Sequence, residues 1–508
     1  MNMPRILLGA AASGSGKTMI TCGILQALVN RGLKVSSFKC GPDYIDPMFH
    51  TKVIGTRSRN LDTFFTGENL TNYLLAKNAA GTDISVMEGV MGYYDGLGGI
   101  STEASAYDLA RVTRTPAVLI VNTKGMSLSV LAQIKGFLEY RENSQIQGVI
   151  LNQMSPMIYQ EVRQLIEEQL PVKVYGYVPV IRDFVLESRH LGLVMPEEVE
   201  GLSRKVKGLA AVMEESLDLD GLIRLAQTAP EPVYEKPEIP RAFDIDQELK
   251  ETQESRKLQE TQISREQNEL RMLREPQEYP VSYVSGEYQD SCQKPAVTIA
   301  GARDSAFCFY YQDNLDLLAK MGAELVEFSP IKDSRLPEHA DGLLLGGGYP
   351  ELFAKELSEN TSMLESIRQA VGRGMPLMAE CGGFMYLHNR MEGMDGVSYP
   401  MAGVIDGEVY RTEKLGRFGY IELTANEDQM AAAAGETVRG HEFHYFDSTS
   451  CGGSFLARKP LRKRSWNCIH GTETMTAGFP HLHYYSNMKI PFGFIRRCGE
   501  YRKAKNNM

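Results

Sequence analysis

The stretch Pro376-Leu-Met-Ala-Glu-Cys-Gly-Gly-Phe-Met-Tyr-Leu387 decides how the chain is read. An apolar run ends at Glu380, a lone cysteine follows, then two glycines, then an apolar helical start. A strand that feeds a tight turn into a helix lifts the turn side chain above the sheet edge, the elbow used by nucleophilic Ser or Cys residues. A thiol at Cys381 is expected to sit near helix N-terminal amides and the positive end of a helix dipole. Both lower its pKa from about 8.5. Gly382 and Gly383 let the backbone approach a substrate carbonyl, and their N–H groups suit a developing oxyanion. The alternative is a buried structural cysteine, which behaves as a small hydrophobe.

Outward from the elbow, a second α/β unit surrounds it. Pro295–Ala300, Glu324–Phe328 and Gly342–Gly348 read as strands, with a helix running to Met321. The Gly346–Gly348 run, followed by Tyr349-Pro-Glu351, leaves amides free to turn inward. Gly347 and Gly348 with Gly382 are the candidate oxyanion contacts. A nucleophilic Cys needs a base, and Gly440-His-Glu-Phe-His444 and Phe479-Pro-His-Leu-His-Tyr484 both offer histidine. His388 is read on the helix that Cys381 begins, two turns along and pointing elsewhere.

The N-terminal half carries a different signal. Ile6-Leu-Leu-Gly-Ala opens as a buried strand, then Ala12-Ser-Gly-Ser-Gly-Lys-Thr18 leads into a helix from Met19 to Arg31. Strand, Gly-rich loop, Lys-Thr and helix is the arrangement that cradles phosphates. The backbone amides of Gly14, Ser15 and Gly16 meet the charge, Lys17 reaches the terminal phosphates, and Thr18 offers its hydroxyl to Mg²⁺. Ala11 replaces the usual first glycine, so the loop is a variant. The strand Lys34–Lys39 leads into Cys40-Gly-Pro-Asp-Tyr-Ile-Asp-Pro47, where Asp43 and Asp46 are candidates for metal and substrate contacts at a sheet's carboxyl edge, or turn caps. Glu88, closing the strand Ile84–Glu88, is a second candidate Mg²⁺ residue. Asp95 lies in the acidic-aromatic loop Met91–Gly96, read as contacting a large substrate. Ala117–Val121 and Gly148–Asn152 are further strands, and Asn152 could hydrogen-bond a purine or simply cap a turn. Arg189 and His190 could hold substrate carboxylates or phosphate, or form a polar loop.

A chain of 508 residues with 43% hydrophobic and 23% charged residues fits two or three globular domains. The net charge of −10 and the lack of a basic stripe argue against general nucleic-acid binding. No signal-peptide pattern opens the sequence, and no apolar run nears the roughly 20 residues that span a bilayer. Eight cysteines without C-x-x-C pairs indicate neither a zinc site nor a disulfide framework, so a cytoplasmic setting is expected. The expected division is 1–229, a phosphate-binding domain; 230–293, a charged linker, solvated helix or tether; 294–498, the thiol domain; and 499–508, a basic tail.

A thiol that strips ammonia from a carboxamide, joined to an ATP site that phosphorylates a carboxylate, makes an amide. Ammonia should pass internally, because bulk water at neutral pH protonates it. The motifs Ser13–Thr18, Phe38–Pro47, Glu88–Gly96, Arg189–Leu193, Ala306–Tyr311, Leu345–Glu351, Ala379–Gly383 and Gly440–His444 together resemble the cobyrinate a,c-diamide synthase family. The resemblance implies two doubly wound α/β domains. The N-terminal one is similar to dethiobiotin synthetase-like P-loop enzymes, the C-terminal one to class I glutamine amidotransferases. It implies ATP as substrate with Mg²⁺, glutamine as nitrogen donor, and cobyrinate or a related tetrapyrrole as acceptor. Cys381 becomes the glutaminase nucleophile and His481 its base, with His483 next, while the third member of the triad stays open. A homodimer is left open. Competing readings are the same reaction on hydrogenobyrinate or nickel-sirohydrochlorin, and a P-loop regulatory protein without catalysis.

Overall fold

The computed structural model describes residues 3–181, 188–189, 192–193, 201–241 and 296–506, with backbone alone at 188–189 and 192–193. Seven strands build the N-terminal sheet: β1 (Arg5–Ala10), β2 (Val35–Cys40), β3 (Arg57–Leu61), β4 (Ile84–Glu88), β5 (Ala117–Asn122), β6 (Ile146–Asn152) and β7 (Lys173–Val178). They are all parallel, in the order β3-β2-β4-β1-β5-β6-β7. Parallel strands are covered on both faces and read as apolar runs. Ile6 and Leu8 enter one core cluster while Leu7 enters another, and Ile120 and Leu119 divide in the same way. The strand order reverses direction beside β1, so a ligand-binding crevice opens at its carboxyl end.

The second sheet holds Ala323–Phe328, Val297–Ala302, Gly342–Leu345, Leu377–Glu380 and Met475–Gly478 in parallel, in that order. The short strand His470–Gly471 runs antiparallel at one edge. Leu344 and Met378 face one core cluster, and Leu343, Leu345 and Leu377 face another. Gly342–Gly348, read as one strand, breaks at Gly346, whose amide donates to the Tyr310 hydroxyl at 2.8 Å. Gly347–Gly348 then pairs antiparallel with Phe307–Phe309. His388 does not continue the Cys381 helix. That helix ends at Tyr386, and His388 opens a strand, His388–Glu392, paired with Ile405–Arg411. Its imidazole joins the Phe384 carbonyl at 2.9 Å and the Ser448 hydroxyl at 2.7 Å, so it is fixed away from the thiol.

Two further sheets lie between the elbow and the C-terminus. A five-stranded antiparallel sheet joins Ser465–Cys468, Phe455–Arg458, Arg417–Ala425, Thr437–His444 and His481–Leu482. A four-stranded sheet joins Ser398–Pro400, His388–Glu392, Ile405–Arg411 and Phe446–Ser448. Of the expected linker, 230–241 lies as irregular chain along the first half: Arg5 donates to the Pro230 carbonyl, and Asn69 exchanges two hydrogen bonds with the Glu235 backbone. Residues 242–293 of that linker lie outside the described residues. The helix Lys489–Asn506 runs through the expected boundary at 498, and Arg502 donates to the Ala296 carbonyl at 2.8 Å.

The two halves contact each other through polar and aromatic groups. Lys77 pairs with Asp313 at 2.9 Å, and the Tyr420 hydroxyl donates to Asp62 at 2.6 Å. Tyr44 of the first half stacks on Phe309 of the second, with centroids 5.1 Å apart. These contacts bring the carboxyl edge of the first sheet to face the elbow of the second.

Candidate active site

β1 delivers the chain at Ala10 into a loop whose Gly14 and Gly16 hold φ of 76° and 88°. Both angles lie in the left-handed region that glycine adopts without steric cost. A Cβ at Gly16 would also stand 2.4 Å from the Asn152 amide nitrogen, so the position has no room for a side chain. The helix Lys17–Asn30 then starts with its amides facing the loop. Lys17 is buried and donates to the Met91 carbonyl at 2.5 Å. Burial and the neighbouring Lys39 draw its pKa down, opposed by Glu88, Asp46 and Asp95. The Thr18 hydroxyl donates to Glu88 at 2.7 Å.

Three strand ends converge here. Lys39, at the end of β2, reaches Glu88 of β4 at 2.8 Å, contacts Asp46, and lies 4.0 Å from Asp43. Burial disfavours the Lys39 ammonium, but these carboxylates outweigh it and hold its pKa well above the ordinary value. Burial and the charge of Asp46 push the Asp43 carboxyl up to about 7. Burial acts on Asp46 in the same sense, yet Lys39 outweighs it and holds Asp46 below the usual carboxylate range. His50 lies 3.7 Å from Glu88, and burial lowers its pKa. Asn152, ending β6, donates from its side-chain amide to the Ser15 carbonyl at 2.9 Å and so braces the loop, while its side-chain Oδ1 is buried without a hydrogen bond.

Among the described residues, no group of three or more His, Cys, Asp or Glu is arranged to hold a metal ion. A nucleotide-bound Mg²⁺ asks less of the protein, one or two carboxylates beside phosphate oxygens and water. Glu88 presents a fully buried Oε2 that makes no hydrogen bond and has only His50 at 3.7 Å among its ion-pair neighbours, next to the Thr18 hydroxyl and with Asp43 nearby, an oxygen set that fits such an ion.

In the second half, Cys381 occupies φ 47°, ψ −103° between the strand Leu377–Glu380 and the helix Gly382–Tyr386. A positive φ at a non-glycine residue is the strained turn that presents a side chain at a sheet edge. The Cys381 amide donates to the Gly478 carbonyl at 2.8 Å, which ties the elbow to the neighbouring strand. The thiol pKa, however, is raised. Burial is the main cause, followed by Glu351, with Glu442 and Glu380 adding to it and the Gly382 amide partly offsetting them. The expectation of a lowered pKa is corrected: a helix of five residues offers a weak dipole against burial and three carboxylates.

His481 follows the strand next to the elbow, and its Nδ1 lies 3.6 Å from Glu380 Oε2. Its ring stacks on His441 at 4.9 Å and passes so close over Gly347 that a Cβ there would meet it at 2.5 Å. A Cβ at Gly348 would strike the Ala306 carbonyl at 2.0 Å, so this backbone too admits only glycine. Gly348 lines the cavity, and its amide nitrogen lies 3.1 Å from where a Gly382 Cβ would stand. His483 turns away, stacking on Phe65 of the first half at 5.0 Å, and burial lowers its pKa to about 4.

A single cavity of about 1400 Å³ connects these groups. Ser13, Asp43, Tyr44, Met91 and Asp95 line it from the first half, and Gly348, Cys381, His441, Glu442 and His481 from the second. The Arg189 backbone lies in the two-residue strand Ser188–Arg189, paired with Gly192–Leu193, and its side chain and His190 lie outside the described residues. Sequence reasoning missed Lys39, His50 and Glu380. The only sequence signal for Glu380 was its place beside the nucleophile.

The CobQ/CobB/MinD/ParA nucleotide binding domain model matches residues 6–192, and the CobB/CobQ-like glutamine amidotransferase domain model matches residues 298–483. A cobyrinate a,c-diamide synthase of Caldanaerobacter subterraneus is 36% identical over 498 residues, covering 97% of this chain and 98% of its own. The proteins of that name from Listeria monocytogenes (37%, covering 97% and 100%) and Thermoplasma volcanium (35%, covering 99% of each) match at equal length. The chain belongs to the cobyrinate a,c-diamide synthase family. Both of the family's domains are present in this member, an N-terminal P-loop domain and a C-terminal glutamine amidotransferase domain, and the cavity described above lies where they meet. No helix among the described residues of this synthase-family chain is long and apolar enough to cross a membrane.

Proposed function

We propose that this protein catalyses ATP- and glutamine-dependent amidation of the a and c side-chain carboxylates of cobyrinate. The observation that carries the reading is the shared cavity, which places Cys381 and His481 in one space with the carboxylates beside the P-loop. The full-length likeness to relatives of that name supports the choice of substrate.

In the glutaminase half, His481 takes the Cys381 proton as the sulfur attacks the carboxamide carbon of glutamine. The amides of Gly348 and Gly382 hold the oxyanion, with Gly347 shaping the same wall. His481 returns the proton to the leaving nitrogen, ammonia departs, and water clears the thioester to glutamate. Glu380, 3.6 Å from Nδ1, orients the imidazole and fills the open third position. The raised thiol pKa sets a condition: the thiolate forms as its proton moves to His481 with glutamine in place, not in the empty pocket.

In the other half, the loop amides of Gly14, Ser15 and Gly16 and the Lys17 ammonium hold the ATP phosphates, and Asn152 braces the loop from below. Lys39 pairs with both Asp46 and Glu88 and holds Asp46 in its ionised form. A substrate carboxylate attacks the terminal phosphorus and ADP leaves, and ammonia then attacks the acyl phosphate, expelling phosphate and giving up a proton to form the amide. Thr18, Asp43 and Glu88 are the residues that would hold Mg²⁺, which when bound supplies positive charge to the phosphates. Asp46 and Asp95 face the acceptor, with Arg189 and His190 retained as substrate contacts. All seven described cysteines are free thiols, which supports the cytoplasmic setting.

The test offers purified protein ATP, Mg²⁺, glutamine and cobyrinate and follows product mass and phosphate. Two successive mass steps are expected, each corresponding to OH replaced by NH₂, with one phosphate released per step. Unchanged cobyrinate, with turnover of hydrogenobyrinate or nickel-sirohydrochlorin instead, would reassign the substrate.

A further inference from the structure

The cavity has a cationic rim that neither chemistry above uses. Five of the seven residues Arg458–Arg464 are Lys or Arg, in a chain of net charge −10. They form the turn between the strands Phe455–Arg458 and Ser465–Cys468, and Lys459, Arg462, Lys463 and Arg464 line the cavity. None of the five forms an ion pair with a carboxylate among the described residues. Their contacts are to backbone and aromatic groups instead. Lys459 donates to the carbonyls of Phe418, Gly419 and Tyr420, and Arg462 donates across the halves to the Gly98 carbonyl at 2.9 Å. Trp466, the only tryptophan of the chain, lies under Lys459 and Arg464 at 5.8 and 5.5 Å. Burial lowers Lys459 to about 8, with Arg464 adding to the shift and Glu442 opposing it.

Beside this rim lies an apolar face. Phe418 and Phe443 are cross-strand partners whose rings meet edge to face at 5.2 Å, and both line the cavity. Phe418 is 55% exposed, a large aromatic surface left open to the cavity. Glutamine and the terminal phosphates of ATP are small, whereas about 1400 Å³ exceeds an ordinary small-molecule site of roughly 300–1,000 Å³.

We propose that the Phe418–Phe443 face and the Lys459–Arg464 turn together dock the acceptor: a broad apolar macrocycle lies on the aromatic face while carboxylates not undergoing reaction meet the cations. The amidotransferase half thus supplies specificity for the substrate of the other half. The proposal rests on the reading of the acceptor as a polycarboxylate macrocycle.

The test measures steady-state KM for cobyrinate, glutamine and ATP on the full-length enzyme, with equilibrium binding of cobyrinate followed by its absorbance. For the Lys463→Glu/Arg464→Glu double variant, KM and Kd for cobyrinate are expected to rise about tenfold or more, with KM for glutamine and ATP within about twofold. Added salt should weaken cobyrinate binding to the parent steeply and to the variant less. Lys463→Arg should restore the parent value, and Phe418→Ala should raise the cobyrinate KM without changing the salt slope. Unchanged cobyrinate KM and Kd in the double variant, or an equal rise in KM for ATP, would overturn the proposal. If the parent binds cobyrinate with this charge dependence but does not amidate it, the docking surface stands and the proposed reaction fails.

Discussion

A Cys381→Ala protein is expected to lose glutamine-dependent amidation by at least about 10³-fold while retaining amidation from added ammonia, measured as product formed with each nitrogen source. The split follows from where the thiol acts. In the proposed division Cys381 attacks only the carboxamide of glutamine, and removing its sulfur leaves the Lys17, Thr18, Lys39 and Glu88 contacts of the first half in place. The substitution is also small at a buried site, so the elbow should keep its shape. Parallel loss of both activities would mean that the sulfur supports the acceptor site as well, against the division of roles proposed above.

The complementary expectation concerns Lys17. A Lys17→Ala protein should fail with glutamine and with ammonia alike, by about 10²–10³-fold or more, because it removes a fixed positive charge where phosphoryl charge develops. Lys17 is buried and, among the described residues, holds only the Met91 carbonyl, an interaction a triphosphate can displace. Hydrolysis of glutamine measured on its own should persist, which distinguishes a lost phosphate contact from a lost fold. Retained ammonia-dependent amidation would place the phosphoryl transfer elsewhere.

What could be read from the sequence was what sits close together along it. Gly14-Ser-Gly-Lys-Thr18 states a strand, a turn and a helix start within a few residues, and Glu380-Cys-Gly-Gly383 does the same for the elbow. The apolar runs of both parallel sheets were legible for the same reason, since strands covered on both faces are nearly continuous in Val, Ile and Leu. The two smaller sheets between His388 and His481 were not, because their short strands mix exposed polar and buried residues, as in Arg417–Ala425. Lys39 and His50 were passed over because only folding brings the ends of β2 and β4 beside the short helix Ile45–Phe49 that holds Asp46. The thiol was misjudged for a related reason. A local dipole argument could not anticipate that Glu351 and Glu442, from distant segments, would face the sulfur in a buried pocket. His481 was preferred to His483 only through the family resemblance, and the three-dimensional arrangement turns His481 to the cavity and stacks His483 on Phe65.

That one shared cavity serves both reactions is most directly tested with isotope. Amidation should be run at neutral pH with glutamine labelled by ¹⁵N in its amide and an excess of unlabelled ammonium in solution, reading the product by mass. Ammonia released beside Cys381 and used within the same cavity should leave the product nitrogen almost wholly ¹⁵N. Product nitrogen that follows the isotope ratio of the bulk ammonium would contradict a shared cavity that carries ammonia from one half to the other.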